Sequence, residues 1–519
     1  MRKRFGGHPM AHNGFGKNGL RPAGYAELIE RYGLEVMPNW HRSSIAVSAV
    51  RRANEANGAV DESYPATYWP GSNATDHLEF ALKYDGTNLA ILASVFGKIP
   101  DRDLVEYVRS KPTGKYARRL WFLYEFLTGN TLPLEDVKQG NYVDLLDPDE
   151  YYTVDVPRRV RRQRINDNLL GNHQFCPVVR RTQVLRDYEK ADLSSRCLRV
   201  IDAYSPDLLR RALNYLYNRE TRSSFEIESI RPTSSRVERF VAMLQLAEQE
   251  DFCEKGQLVR LQNGIVDPRF RDEDYRSVQN YVGETITLGK ERVHFASPKP
   301  EDLAGLMAGL EVAHRRMEEA KVHPVIHAAT IAFGFVFLHP FEDGNGRIHR
   351  FLLHNILARR GFTPKALMFP VSAAMLKNRA RYDEALEAFS RPLLILVDYN
   401  LDKEGHMAVH NDTAAWYRYI DMTPQAEALF DFIERTIDTE LASELSFLAH
   451  YDKAKKAIQD IVDMPDRDID LFIRCCLQNN GRIAKGKRMT HFDRLTDTEI
   501  AQMEEVVRNA YGNGDAIEA

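Results

Sequence analysis

The sequence has few cysteines, no long apolar run and no excess of one charge. Five cysteines are scattered among 519 residues without a Cys-x-x-Cys pair, which argues against a disulfide framework and favours a reduced, cytoplasmic protein. No segment contains the roughly 18 consecutive apolar residues that a membrane-spanning helix needs. Lys and Arg number 70 and Asp and Glu 74, for a net charge of −4, so no overall positive field attracts nucleic acid.

The sequence predicts a mainly α fold. Its length and its pattern of apolar and polar residues predict that the chain is divided into several regions. A length of 519 residues is too great for one hydrophobic core, so three or four structural units are expected. The basic first residues lead into Gly, His and Asn rather than an apolar segment, which predicts a flexible tail instead of a signal peptide. The predicted regions are the tail (1–20), a helical N-terminal domain (21–145), a linking region with a basic cluster and a helix (146–222), a helical core with a small β-hairpin (223–402) and a helical C-terminal domain (403–519).

The most informative segment is HPFEDGNGRIHR, from His339 to Arg350. It follows HPVIHAATIAFGFVFL, residues 323–338, which contains no Asp, Glu, Lys or Arg and therefore predicts a buried helix. This helix must end near His339, because a residue before proline is driven out of the α conformation. A second helix is predicted from Gly346 to Arg360, closed by Gly361. The residues PFEDGN between the two helices are expected to form a tight turn.

The backbone of this turn is suited to hold an anion. Gly344 and Gly346 let the chain approach a ligand closely and adopt conformations that other residues avoid. Asn345 can cap the second helix or donate from its side-chain amide. The N–H groups of the first helical turn, together with the positive end of the helix dipole, form an anion site.

The side chains of the segment add charge and a base. Arg347 and Arg350 are three residues apart, so they share a helix face and can both reach phosphate oxygens. Asp343 is a hard oxygen ligand for Mg²⁺. His339 can take a proton from a hydroxyl near pH 7. The structural alternative is a helix–turn–helix whose arginines only form internal salt bridges.

These residues resemble a known family signature. The Fic-family motif reads His, any residue, Phe, any residue, Asp or Glu, Gly, Asn, Gly, Arg, two residues of any kind and Arg, and HPFEDGNGRIHR matches every specified position. The resemblance implies a mostly helical core and transfer of AMP from ATP, with Mg²⁺, to a Ser, Thr or Tyr hydroxyl of a protein. It implies that His339 is the base, that Asp343 binds the metal, and that the phosphates are held by Gly344, Asn345, Gly346, Arg347 and Arg350. The related Doc-like kinase toxins have Lys at the position of Gly346, so Gly346 favours nucleotidyl transfer over phosphorylation.

A second segment, SSFEIESIRP at 223–232, resembles the inhibitory motif of the same family: Ser or Thr, three residues of any kind, Glu, then Gly or Asn. Ser224 and Glu228 match this motif, whereas Ser229 departs from the expected Gly or Asn. The resemblance implies that Glu228 pairs with Arg350 and takes the place of the γ-phosphate, as in the class II type, whose inhibitory helix lies N-terminal to the core. An ordinary capped helix is the alternative.

A third segment, YRSVQNYVGETI at 275–286, resembles the family's flap, a hairpin that holds the target backbone as an added strand. Gln279, Asn280 and Tyr281 are its expected edge. Its β-branched residues and glycine predict a hairpin, and the same composition predicts short strands in LVRLQNGIVDP at 258–268. The alternative is that this segment forms an ordinary hairpin with no role in binding. The resemblance covers about a third of the chain, from residue 223 to residue 400.

Several functional alternatives stay open from the sequence. The same site could remove AMP from a target, with Glu228 positioning water, or could use UTP or CTP as the donor. Self-modification and a homo-oligomer are also open. The basic segment GRIAKGKRMTHF near the C-terminus could bind DNA in a regulatory protein whose core senses nucleotide. The other basic run, RRVRRQR at 158–164, lies among acidic residues, which favours a salt-bridged surface.

Overall fold

The computed structural model describes residues 19–47, 50–56, 58–287, 290–364 and 367–511. The chain divides into two compact units: the first takes residues 1–190, 234–362 and 378–430, and the second takes 191–233, 363–377 and 431–519. Both units are interrupted in sequence, so they do not correspond one to one with the consecutive predicted domains, whose boundaries stay predictions. Residues 1–18 of the predicted tail lie outside the described residues.

The described part of the first unit begins with a sheet, in a region that the sequence predicted to be mostly helical. Its strands are β1 (Leu20–Ala23), β2 (His41–Ala46), β3 (Arg52–Ala56) and β4 (Ala59–Pro65). They are hydrogen-bonded in the order β1-β2-β4-β3, with β2 and β4 parallel. Every residue of β3 is exposed, so this strand lacks the alternating apolar pattern by which a sequence indicates a strand. The predicted helical N-terminal domain therefore also contains a sheet that the sequence did not indicate, and Leu20, assigned to the tail, begins β1.

Helices and a small sheet complete this part of the unit. They are α1 (Tyr25–Tyr32), α2 (Ala74–Phe80), α3 (Leu89–Phe96), α4 (Asp101–Ser110), α5 (Lys115–Thr128), β5 (Val143–Asp144), β6 (Arg158–Val160), β7 (Ile165–Asp167) and α6 (Gln183–Ala191). Leu120 and Trp121 of α5 are buried in their common core. Arg162, in the basic run that includes β6, pairs with Glu125 and Asp136, which confirms the predicted salt-bridged surface.

The remainder of the first unit contains the helices around the predicted site. Its elements are α9 (Ser234–Leu246), α10 (Lys255–Ile265), β8 (Tyr281–Thr287), β9 (Lys290–Ala296), α11 (Pro300–Glu319), α12 (Pro324–Leu338), α13 (Asn345–Arg359), α15 (Arg379–Leu396), β10 (Tyr399–Leu401), β11 (Met407–Val409), α16 (Ala414–Arg418) and the start of α17 (Thr423–Arg435). The apolar helix α12 is buried almost throughout and packs against α11 and α13. The two predicted helices flanking the motif turn are confirmed.

Helix α10 corrects a prediction, because LVRLQNGIVDP was expected to form strands. Its side chains Leu258, Leu261 and Ile265 are buried on one helix face, a spacing of i, i+3 and i+7 that matches the helical period. This burial outweighs the β-propensity of the sequence, which depends strongly on context. The predicted hairpin is confirmed by the antiparallel pair β8 and β9.

The second unit is helical. It contains α7 (Leu193–Asp202), α8 (Pro206–Ile227), α14 (Val371–Lys377), α18 (Ala442–Gln459), α19 (Asp466–Leu477), α20 (Lys485–His491) and α21 (Asp497–Tyr511). The side chain of Ser205 accepts a hydrogen bond from the N–H of Leu208 and caps α8. The buried carboxylate of Glu220, on α8, accepts hydrogen bonds from the backbone N–H (2.8 Å) and the hydroxyl of Ser372, which fixes α8 against α14.

The chain is mainly α-helical, with four small sheets among the described residues, so the predicted fold class is confirmed. Among the helices built from described residues, none has both the length and the apolar character that a membrane crossing requires.

Candidate active site

Helix α12 ends at His339, which adopts a left-handed conformation with φ 50° and ψ 58°. Its N–H donates to the carbonyl of Phe335 at 2.9 Å, the bond that closes a left-handed helix end. A residue other than glycine costs about 1–2 kcal/mol in this conformation. The surrounding structure must therefore hold His339 in place.

Arg276 stabilises the backbone of His339 through direct hydrogen bonds. Its backbone N–H donates to the carbonyl of Pro340 at 2.8 Å, and its Nε donates to the carbonyl of His339 at 2.8 Å. The two remaining guanidinium nitrogens donate to the carbonyls of Val278 (2.8 Å) and Pro298 (2.7 Å). Burial lowers the pKa of Arg276 to about 10, so the group stays charged at neutral pH. No role for Arg276 is predicted from the sequence alone.

The imidazole of His339 has a defined tautomer. Its Nδ1 lies 3.2 Å from the carbonyl oxygen of Val336, and a carbonyl can only accept, so Nδ1 carries the hydrogen. The lone pair of the neutral ring is then on Nε2. The side chain is half-buried. In this arrangement, Nε2 is the atom that can accept a proton from a substrate.

Asn345 closes the turn instead of capping the helix. Its amide oxygen accepts from the N–H of Phe341 (3.1 Å) and its amide nitrogen donates to the Phe341 carbonyl (2.7 Å). Phe341 is fully buried and packs against Tyr275 and Phe335. The N-cap position of α13 belongs to Gly344. The predicted capping by Asn345 was wrong, and its predicted donation to a bound anion stays a prediction.

Gly344 is required by both its conformation and its surroundings. Its φ is +95°, and an added Cβ would lie 2.9 Å from Cγ1 of Val266. We expect Gly344→Ala to lower the free energy of unfolding by about 1–3 kcal/mol, through backbone strain and this clash, measured by chemical denaturation. Gly256→Ala is the matched control, because a Cβ there meets nothing within 4 Å. Equal stability of Gly344→Ala and the parent protein would contradict the strained turn.

Two arginines are buried at the start of α13. Arg347 is 0% exposed and Arg350 is 1% exposed, and both are among the largest fully buried side chains in the described part of the chain. Arg347 forms an ion pair with Asp343 (2.5 Å) and donates to the carbonyl of Ile265 (3.3 Å). A buried guanidinium strongly favours an anionic partner, and for Arg347 the carboxylate of Asp343 is such a partner.

Asp343 lies in a group of acidic residues that the sequence analysis did not assemble. Its side chain is 41% exposed. The carboxylate of Asp272 accepts from the N–H of Glu342 at 3.3 Å. The pKa of Asp272 is raised, first by burial and then by the negative charges of Glu342 and Asp343.

The hairpin residues predicted as the flap lie next to the motif turn. The Nδ2 of Asn280 donates to the carbonyl of Phe341 at 3.2 Å. The amide of Gln279 donates to the carbonyl of Ser297 at 2.8 Å, which ties together the two ends of the hairpin. Tyr281 begins β8 and pairs with Ala296. The structure therefore brings the predicted edge and the predicted base into one region of the first unit.

The predicted inhibitory segment forms the end of α8 in the second unit. Ser224 is fully buried, and Glu228 is the half-buried C-cap residue. Ser229 has a φ of +57°. Its N–H donates to the carbonyl of Glu226, and the N–H of Ile230 donates to that of Phe225, which is the Schellman arrangement. Ser229 thus adopts the left-handed conformation that Gly or Asn takes most easily, so its departure from the motif does not change the backbone.

A cluster of metal-type ligands near the other end of α13 is better explained as a hydrogen-bonded chain. Asp251, Cys253 and His314 lie within 4.8 Å of one another. Arg360 donates to Nδ1 of His327 (2.8 Å), so Nε2 of His327 donates to Nδ1 of His314 (2.9 Å). The remaining hydrogen of His314 is then on Nε2, which donates to Asp251 (3.1 Å). That nitrogen has no lone pair to offer a metal.

The fold and this region define a helical protein with two buried arginines at a helix start and a half-buried histidine at the end of the preceding helix. Residues 252–357 match the model of the Fic/DOC family. Two curated relatives are each named protein adenylyltransferase Fic. The one from Culex quinquefasciatus is 34% identical over 122 residues, 23% of this chain and 22% of the relative. The one from Drosophila grimshawi is 37% identical over 101 residues, 20% of this chain and 19% of the relative.

Among solved structures, a Fic family protein from Desulfovibrio desulfuricans G20 is 20% identical, with a TM-score of 0.35 over 63% of this chain and 87% of that chain. The chain spans about a fifth of the length of the curated relatives it matches. The residues that match the Fic/DOC family model, 252–357, include the motif turn, helix α12, most of α13 and the hairpin of β8 and β9.

Proposed function

We propose that this protein transfers AMP from Mg-ATP to a Ser, Thr or Tyr hydroxyl of a protein, and that Glu228 restrains the reaction. The observation that carries the proposal is the buried pair Arg347 and Arg350 at the start of α13, next to a histidine whose Nε2 can act as a base. Guanidinium groups at a helix N-terminus suit a polyphosphate. The names of the similar proteins support adenylyl transfer as the chemistry.

In the proposed reaction, Nε2 of His339 accepts the proton of the target hydroxyl. The hydroxyl oxygen forms a new bond to the α-phosphorus, and the bond between that phosphorus and the bridging oxygen breaks. Pyrophosphate leaves with the electron pair of that bond. General base catalysis of this kind contributes typically about 10²–10⁴-fold to the rate.

The phosphates of ATP would be held by the start of α13. The tight turn at Gly344, Asn345 and Gly346 presents backbone N–H groups at the positive end of the helix dipole. Arg347 and Arg350 supply two positive charges in a buried setting, where electrostatic interactions are stronger than in water. The same charges would stabilise the leaving pyrophosphate.

The residues present also suit Mg²⁺. Asp343 offers a partly exposed carboxylate, and the neighbouring acids Asp272 and Glu342 add negative charge. Hard oxygen ligands of this kind are those that Mg²⁺ prefers. Bound Mg²⁺ would neutralise charge on the phosphates.

The hairpin of β8 and β9 would present the target. Its edge at Gln279, Asn280 and Tyr281 lies beside the motif turn. An extended target segment that pairs with this edge by main-chain hydrogen bonds would place a hydroxyl near His339 without strict side-chain selection. Self-modification is the simplest case of such a target.

Glu228 would act as the restraint by pairing with Arg350 in place of the γ-phosphate. A carboxylate and a phosphate compete for the same guanidinium donors. The Schellman end of α8 sets the backbone of Glu228, and the contact of Glu220 with Ser372 anchors the helix that carries it. Such a helix end can be held in a defined position, as an inhibitory residue requires.

The test is self-labelling and intact-mass analysis of the Glu228→Ala protein with Mg²⁺ and ATP labelled on either the α- or the γ-phosphate. We expect the α-label to be incorporated, with the mass of one AMP group, and the γ-label to be absent. Incorporation of only the γ-label would indicate phosphorylation. Stronger labelling from UTP or CTP than from ATP would indicate that one of these nucleotides is the donor. Without any incorporation, and without labelling of added proteins from a cell extract, AMP transfer would be refuted.

A further inference from the structure

Arg276 joins the flap hairpin to the backbone of His339. We propose that Arg276 is a positioning residue, which sets the location of the target-binding hairpin relative to the base through its guanidinium group. This inference rests on the proposed transfer of AMP to a protein, and it concerns a residue outside the motif, 63 positions before His339.

The contacts of the guanidinium involve three separate stretches of backbone. Nε donates to the carbonyl of His339 (2.8 Å), Nη1 to Val278 (2.8 Å) and Nη2 to Pro298 (2.7 Å). Val278 lies just before β8 and Pro298 just after β9, so these two bonds hold both ends of the hairpin. The guanidinium is planar and rigid. It therefore fixes the hairpin ends and the His339 carbonyl relative to one another.

The proposed reaction requires the hairpin to lie at a defined distance from His339, and the contacts of Arg276 set this distance. The target hydroxyl must come within hydrogen-bonding reach of Nε2 of His339, and the hydroxyl is placed by a backbone that pairs with the hairpin. His339 is in a left-handed conformation, and Arg276 binds the carbonyls of both His339 and Pro340. Movement of either end of this connection would change the distance between hydroxyl and base.

The residues proposed to bind the nucleotide are held in place mainly by contacts other than those of Arg276. Arg347 is held by Asp343 and by the carbonyl of Ile265, and the turn is closed by Asn345. Loss of the Arg276 side chain should therefore reduce transfer to a protein while ATP binding persists. Lysine should not restore transfer, because an ammonium group at the end of a flexible stem cannot reproduce a planar three-way contact.

The experiment compares Arg276→Met and Arg276→Lys, each in the Glu228→Ala background. The matched control is Arg269→Met, whose side chain is 79% exposed and forms an ion pair with nearby Asp267. We expect kcat/KM for protein labelling to fall by about 100-fold in both Arg276 variants, as for a misplacement of about 1 Å. The affinity for a fluorescent ATP analogue should be unchanged. The control should label like its parent.

Hydrogen exchange supplies a readout that does not depend on activity. Amides at the hairpin ends, residues 277–282, 295–297 and 299, should exchange about tenfold faster in Arg276→Met, since their local opening is no longer opposed by the guanidinium. Unchanged labelling, full rescue by lysine, or a parallel loss of ATP affinity would each overturn the inference. If the Glu228→Ala parent does not label, the proposed function fails, and unchanged exchange would then still refute the role of Arg276.

Discussion

Replacing His339 with alanine in the Glu228→Ala protein should reduce AMP transfer by about 10²–10⁴-fold. The structure supports this expectation through the Nδ1 contact with the carbonyl of Val336, which puts the lone pair on Nε2. Alanine removes the proton acceptor and keeps the backbone hydrogen bonds at this position. The measurement is the initial rate of incorporation of α-labelled ATP, with ATP affinity measured in parallel.

His406→Ala is the matched control for this variant, because the side chain of His406 is 78% exposed and pairs with Asp402 outside the site. It should label at the parental rate. ATP affinity should persist in His339→Ala, since in the proposed site the phosphates would be held by the turn and by Arg347 and Arg350. Labelling of His339→Ala at the rate of the parent would show that another group takes the proton.

Replacing Glu228 alone with alanine should raise AMP transfer by about 10- to 150-fold. This range follows from the proposed pairing of Glu228 with Arg350, because a charge-assisted hydrogen bond contributes about 1.5–3 kcal/mol. A rise beyond it would mean that the helix end also obstructs the nucleotide, because a nearly complete change of state requires about 5.5 kcal/mol. The measurement is the same initial rate, compared at ATP concentrations below and above KM.

Glu226→Ala is the matched control for the switch. Glu226 lies on the same helix two residues earlier and is exposed, so its removal also changes charge at the end of α8 without removing the proposed competitor. It should label like the wild-type protein. Equal rates for wild type and Glu228→Ala would refute the restraint and leave AMP transfer intact. Hydrolysis of an AMP-modified target that requires Glu228 would indicate removal of AMP instead.

The motif region illustrates what local sequence can predict. Pro340 marked the end of α12, and Gly361, with a φ of +66°, marked the end of α13. The two helices were accordingly found within one or two residues of their predicted limits. The contact of Asn345 with Phe341 was not predicted, because choosing between a cap and a turn contact requires the position of Phe341 relative to its amide.

The errors fall where distant contacts outweigh local preference. Residues 258–265 have β-branched and glycine residues that favour a strand, but burial of one face made them helical. The sheet near the N-terminus was missed, because a strand such as β3 is fully exposed and is held by its partner rather than by its own pattern.

By itself, the sequence determined the chemistry of the candidate site and the local form of the turn. The histidine, the acid, the glycines and the two arginines lie within twelve consecutive residues, so their approximate arrangement follows from a helix end, a proline and a helix start. Only the tertiary structure decided what surrounds them. The contacts of Arg276 with Val278, Pro298 and His339 and the acids near Asp343 arise from chain folding, because hydrogen bonds between residues far apart in sequence leave no local pattern.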